Sequence, residues 1–164
     1  MDCKACIMSN YNQKVEWYKD SEIEIYFTPS PCVSMRVITP SCTEAEKKAI
    51  ARYPFLNKRA LKVELHDNNK HKLYEFVIPK KYTWDGASIP RFFWRLIGAK
   101  TDPRFLVPSL IHDVLCENHD YIDNDRYFAD KVFERLLYVS EVSAFNRWLM
   151  FHSVDNFQKF QGWG

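Results

Sequence analysis

No apolar run in the chain approaches the roughly 20 residues a membrane-spanning helix needs, and the first residues lack the positive-then-apolar pattern of a secretory leader. The expectation is a protein that stays in the cytoplasm where it is made. An excess of one charge is also missing. The 23 basic and 21 acidic residues are mixed and leave a formal +2, which gives no sustained field for a polyanion. That argues against nucleic acid as the main partner and leaves room only for a local basic patch. Cysteine occurs in an odd number, at Cys3, Cys6, Cys32, Cys42 and Cys116, so a disulfide framework is not expected. Cys3 and Cys6 form a C-x-x-C pair, half of a zinc knot, but no second half follows at a recognisable spacing. Residues 1–14 read instead as a polar, irregular, flexible tail.

What the chain does have is core material. Its 164 residues are 46% apolar and 16% aromatic, enough for one well-buried domain over 1–164 and too short for two ordinary ones. Residues 22–28, EIEIYFT, alternate as a half-buried strand does, and 32–39 read as a second strand. Thr43 and Glu46 make a capping box for a short helix that Pro54 ends. Leu61, Val63 and Leu65 alternate with Lys62 and Glu64, and after the turn-forming DNNK a partner strand runs over 72–78, a clear hairpin.

Past Asp85 the pattern becomes helical. Residues 91–97 are too apolar for a solvated surface. Pro108 suits the first turn of a helix whose stripe is Leu110, Ile111, Val114 and Leu115. Asp123 or Asn124 caps the next helix, which buries Phe128, Val132, Phe133, Leu136 and Leu137 and leaves Asp130 outside the stripe. A last helix from near Ser140 uses Val142, Phe145, Leu149 and His152. Phe92, Phe93, Trp94 and Trp148 read as core, as does His152, whereas His66 and His71 flank the hairpin turn and should be exposed. The expected fold is α+β, a small, mostly antiparallel sheet from the first half packed against a helical second half.

Polar residues of catalytic type are concentrated between these apolar segments. A loop after the hairpin carries Asp85, Gly86 and Ser88 and ends at Pro90, His112 and Asp113 stand side by side on a helix, and Arg126 and Asp130 lie one turn apart on the next. The ordered set DGASIP, then H-D, then R-x-x-x-D resembles the phage and prophage proteins catalogued as domain of unknown function thirteen-fifty-three. The resemblance covers roughly residues 60–140 and marks Asp85, Gly86, Ser88, Pro90, His112, Asp113, Arg126 and Asp130. It implies a bacteriophage or prophage gene, acting in the cytoplasm of a bacterial host or carried on the virion, and no particular activity. The chain departs from the family in having HDVLC where H-D-Y-L-Y is usual, and ENHDYID before Arg126, which bears on the rim of a pocket more than on its centre.

Three readings of the set stand side by side. In the first, His112, Asp113 and Asp85 hold a divalent metal that activates a water for hydrolysis. One histidine is few for zinc, and an oxygen-rich set suits magnesium or manganese better. In the second, Ser88 is a nucleophile, His112 its base, and Asp130, rather than the adjacent and divergent Asp113, the orienting acid. In the third, Asp85, His112, Asp113 and Asp130 form a buried hydrogen-bond network in a non-catalytic virion, tail-associated or host-interaction protein. All three require these residues to converge in space.

Overall fold

The computed structural model describes residues 6–8, 23–86, 101–122 and 126–160. Ser88, Pro90, the apolar stretch 91–97, the caps expected at Asp123 or Asn124, Cys3 and the terminal FQGWG lie outside the described residues, apart from Phe160.

The fold is α+β, with strands in the first half and helices in the second. Its strands are β1 (Cys6–Met8), β2 (Glu24–Thr28), β3 (Val33–Met35), β4 (Phe55–Asn57), β5 (Leu61–His66), β6 (Lys72–Ile78) and β7 (Thr83–Trp84). The helices are α1 (Glu44–Arg52), α2 (Pro103–Glu117), α3 (Arg126–Val139) and α4 (Ala144–Phe160), with a 3-10 turn at His119–Ile122 between α2 and α3. The strands form two antiparallel sheets rather than one, β1-β6-β5-β2 and β3-β4-β7.

The hairpin β5–β6 is the centre of the larger sheet. Leu61 pairs with Ile78, Val63 with Phe76 and Leu65 with Tyr74, and all six are buried. At the turn, Asp67 Oδ1 accepts from the backbone N–H of Asn69 and His71, both at 2.8 Å. Lys70 takes a positive φ of 64° there, a conformation that the carboxylate-stapled turn imposes. The opposite face of the hairpin carries Lys62, Glu64, Lys72 and Glu75, with Lys62 Nζ 2.6 Å from Glu64 and 3.2 Å from Glu75. Such solvent-facing pairs contribute about 0–1 kcal/mol each, whereas each Leu, Ile or Phe on the inner face contributes about 1.5–3 kcal/mol. The inner face therefore sets the register.

That face is covered by Leu110, Ile111, Val114 and Leu115 of α2 and by Phe128, Val132 and Leu136 of α3. A second cluster joins the helices to one another through Phe105, Phe133, Leu137, Val142, Met150 and Val154.

Five expectations differ from what is observed. The N-terminal stretch contributes an edge strand, β1, whose Ile7 pairs with Phe76. Helix α2 starts at Pro103 behind an Asp102 cap, so Pro108 sits inside the helix rather than opening it. The earlier Asp-Pro supplies a cap and an N1 proline together, which outweighs a later proline alone. Asp130 is buried rather than outside the stripe of α3. Helix α4 buries Met150 and Val154, while Phe145 and Trp148 are 59% and 57% exposed and His152 also faces solvent. His66 is half-buried beside Glu64, and only His71 is well exposed. The capping box is present as expected, Thr43 and Glu46 accepting from each other's backbone N–H.

The smaller sheet carries the chain toward the Asp85–Gly86 segment through β7, which pairs with β4. Gly86 follows with φ +90°, and a Cβ there would lie 2.5 Å from Cε2 of the buried Phe55. Replacing Gly86 with Ala is expected to cost about 1–3 kcal/mol, read as a shift in the midpoint of chemical denaturation. An unchanged midpoint would show that the loop does not need this conformation.

Candidate active site

Helix α2 presents two adjacent faces. Ser109, Asp113 and Glu117 are spaced i, i+4, i+8 and share one face, while His112 and Cys116 share the next, about 100° around the axis. The buried Trp84 of β7 donates its indole N–H to Ser109 Oγ at 3.0 Å, and the Ser109 hydroxyl donates back to Leu106 O at 3.1 Å. This pins the end of β7 to α2 and delivers the next residue, Asp85, to the Asp113 face.

There the two carboxyl groups share a hydrogen bond. Asp113 is held well above the ordinary carboxylate range, first by desolvation, then by the negative charges of Asp85 and Glu117, and by that bond itself. Glu117 accepts from the Tyr82 hydroxyl at 2.7 Å. The phenol of Tyr82 is itself pushed far up, by burial and by the Glu117 charge. Asp113 therefore lies in the field of two further carboxyl groups, one of them bonded to it and the other bonded to Tyr82, and that field favours its protonated form.

On the other face, His112 Nε2–H donates to Asp130 Oδ1 of α3 at 2.9 Å. Both residues are buried, at 6% and 1% exposure, and the imidazole packs 5.0 Å from the Phe133 ring. Asp130 Oδ2 accepts no hydrogen bond among the described residues; the Arg126 guanidinium lies 3.7 Å from it. The second ring nitrogen, Nδ1, is 4.0 Å from Asp113 Oδ1 and 3.7 Å from Cys116 Sγ. His112 therefore joins the two faces.

Asp85, His112, Asp113 and Asp130 are brought together as their shared chemistry suggested. The adjacent His112 and Asp113 diverge, so Asp130 is the carboxylate that orients the imidazole. Tyr82, Cys116 and Glu117 were not singled out from the sequence, although Cys116 and Glu117 lie one helical turn beyond His112 and Asp113 and carried that signal.

Those same four residues lie within the segment, residues 60–154, that matches a family described as "Protein of unknown function (DUF1353)". The chain belongs to the DUF1353 family. The match extends past the three motifs into α4. An uncharacterized protein of Sinorhizobium fredii, y4jT, is 38% identical over 50 residues, a segment that covers 30% of this chain and 15% of that protein. No solved structure matches.

Among the described residues no three His, Cys, Asp or Glu side chains are grouped to hold one ion. His112 Nε2 is turned to Asp130, and Asp113 is bonded to Asp85.

Two predictions separate the faces. Replacing His112 with Ala strands Asp130 as a buried carboxylate and should cost about 3–5 kcal/mol, seen as a lower melting temperature. A paired His112→Leu, Asp130→Leu replacement should recover much of that loss, and no recovery would show that the pair is not the cause. Asp113 has the opposite sign. Unfolded, it ionises near the usual value of about 3.9; folded, it holds its proton to higher pH, so the native state loses stability as pH rises from there through the raised value. Asp113→Asn should therefore unfold later than wild type at neutral pH, with the difference closing below the unfolded value. Parallel stability curves across pH would refute the raised Asp113.

Proposed function

We propose that this DUF1353 protein is a hydrolase that uses the Asp85–Asp113 pair as base and acid, without a metal. What carries this reading is the hydrogen bond between the Asp85 and Asp113 carboxyl groups, with the protonated form of Asp113 favoured by burial and by its charged neighbours. Two carboxyl groups with one proton between them can work on a water from both sides. Asp85 takes a proton from the water as its oxygen attacks an acyl carbon, and Asp113 gives its proton to the leaving group. The pair then holds one proton as before, now on Asp85, and its return to Asp113 resets the site.

Direct contact between the two groups also narrows the substrate class. Glycosidases that retain or invert configuration keep their carboxyl groups about 5–9.5 Å apart, with a sugar or a water between them. A hydrogen-bonded pair suits amide or ester hydrolysis instead. In this reading His112 and Asp130 hold α2 against α3 and so fix the position of Asp113. The likeness to phage and prophage proteins supports a setting in a bacteriophage or prophage, in the cytoplasm of a bacterial host.

A second reading, a non-catalytic virion or host-interaction protein, is favoured by one observation: the His112–Asp130 pair is sealed from solvent. Buried pairs of this kind are often structural.

The test measures hydrolysis of a p-nitrophenyl ester and of labelled casein, together with elemental analysis. Expected is turnover that falls about 100-fold or more in Asp85→Asn and in Asp113→Asn and survives chelation. No turnover on either probe in protein of verified fold would favour the second reading. Stoichiometric metal with activity lost on chelation would overturn the metal-free mechanism.

A further inference from the structure

The outer surface formed by α3 and α4 has a composition that the core does not explain. Tyr127, Lys131, Arg135 and Tyr138 follow one another at steps of four, four and three along α3, which puts them on a single stripe. Tyr127 is 37% and Tyr138 55% exposed. From α4 comes Arg147, and beside it in sequence stands Trp148, 57% exposed.

Cations are set against rings on this surface. Lys131 Nζ lies 5.5 Å from the centre of the Tyr127 ring. The guanidiniums of Arg135 and Arg147 lie 5.1 and 5.0 Å from the centre of the same Tyr138 ring. Each also donates to a backbone carbonyl, Arg135 to Ile23 O and Arg147 to Val142 O, so both are fixed in place. Two like charges are thus held no farther than about 10 Å apart, a repulsion that a bridging anion would reverse. Lys131 is offset by Glu134 at 3.1 Å.

We propose that this face binds single-stranded nucleic acid, with Arg135 and Arg147 on the phosphates and Trp148 stacking on a base. Exposed rings between fixed cations are the two parts such binding requires, a π-face for each base and a charge for the backbone. A purely apolar partner would have to bury both guanidiniums, and a duplex would offer no free base to Trp148. The chain's overall charge of +2 supplies no long-range attraction, so binding is local and shallow. With two or three phosphates neutralised, the logarithm of affinity should fall against the logarithm of salt with a slope of about −1.4 to −2.

The experiment titrates the full chain into a labelled oligothymidylate, following fluorescence anisotropy and tryptophan emission across salt concentrations. Expected is binding with that slope, accompanied by quenching. Trp148→Ala, which removes an exposed ring and should leave the circular dichroism unchanged, is expected to weaken binding tenfold or more; Arg135→Gln with Arg147→Gln should flatten the salt dependence. No binding up to about 100 µM protein at low salt, the weak end of non-specific affinity, would overturn the proposal, as would affinity unchanged in both variants. Self-association of the wild type that Trp148→Ala abolishes, without oligonucleotide binding, would reassign the face to a second copy of the chain.

Discussion

A buried imidazole–carboxylate bond, His112 to Asp130, fixes where α2 and α3 stand relative to each other, and the polar centre takes its geometry from that. The bond lies among apolar contacts, with Phe133 against the imidazole and Leu110, Val114 and Val132 close by in the core. Apolar packing alone tolerates a small slide or rotation between two helices, because many side chains fit nearly as well after repacking. A directional bond at 2.9 Å does not. It makes one rotation of α2 better than its neighbours, and that rotation aims Asp113, about 100° further round, at the end of β7.

The same helix is fixed a second time from the sheet side. Trp84 is almost fully buried against Phe55, their ring centres 5.6 Å apart, and its one polar atom reaches Ser109. A buried indole N–H without a partner would cost about 1–3 kcal/mol, so Ser109 is where β7 must dock. Asp85 follows Trp84 directly and Asp113 follows Ser109 by one helical turn. The meeting of two carboxyl groups is therefore a consequence of a Trp–Ser contact and a His–Asp contact, neither of which involves the pair itself.

The parts legible in the sequence are those set by local chemistry. The β5–β6 hairpin was readable because inner and outer residues alternate without a break, and α1 because Thr43 and Glu46 stand three apart. The candidate site was readable as three separated motifs of one chemical type. What could not be read depends on contacts between distant segments. Strand β1 is three residues long and exists through its pairing with β6, and β7 is two residues long and exists through its pairing with β4. The exposed face of α4 was misjudged because Phe145, Leu149 and His152 make as good an apolar stripe on paper as Met150 and Val154 do. Which stripe turns inward is decided by Phe105, Phe133 and Leu137 on the neighbouring helices, not by α4's own periodicity.

Asp113 shows how the two kinds of information combine. Its sequence position, next to a histidine on an apolar helix, suggests an ionised acid beside a base. In the fold the charges that act on it are those of Asp85 and Glu117, both negative, and the His112 nitrogen that bonds most closely has turned the other way, to Asp130. Had His112 faced Asp113 within hydrogen-bond reach, the imidazole would have favoured the ionised form and drawn the proton off the carboxyl pair. By committing that nitrogen to α3, the fold leaves Asp113 among groups that all favour its protonated form. A carboxyl group whose protonated form is favoured in this way is one that can donate its proton, so the bond that orders the two helices also helps to set an acid beside Asp85.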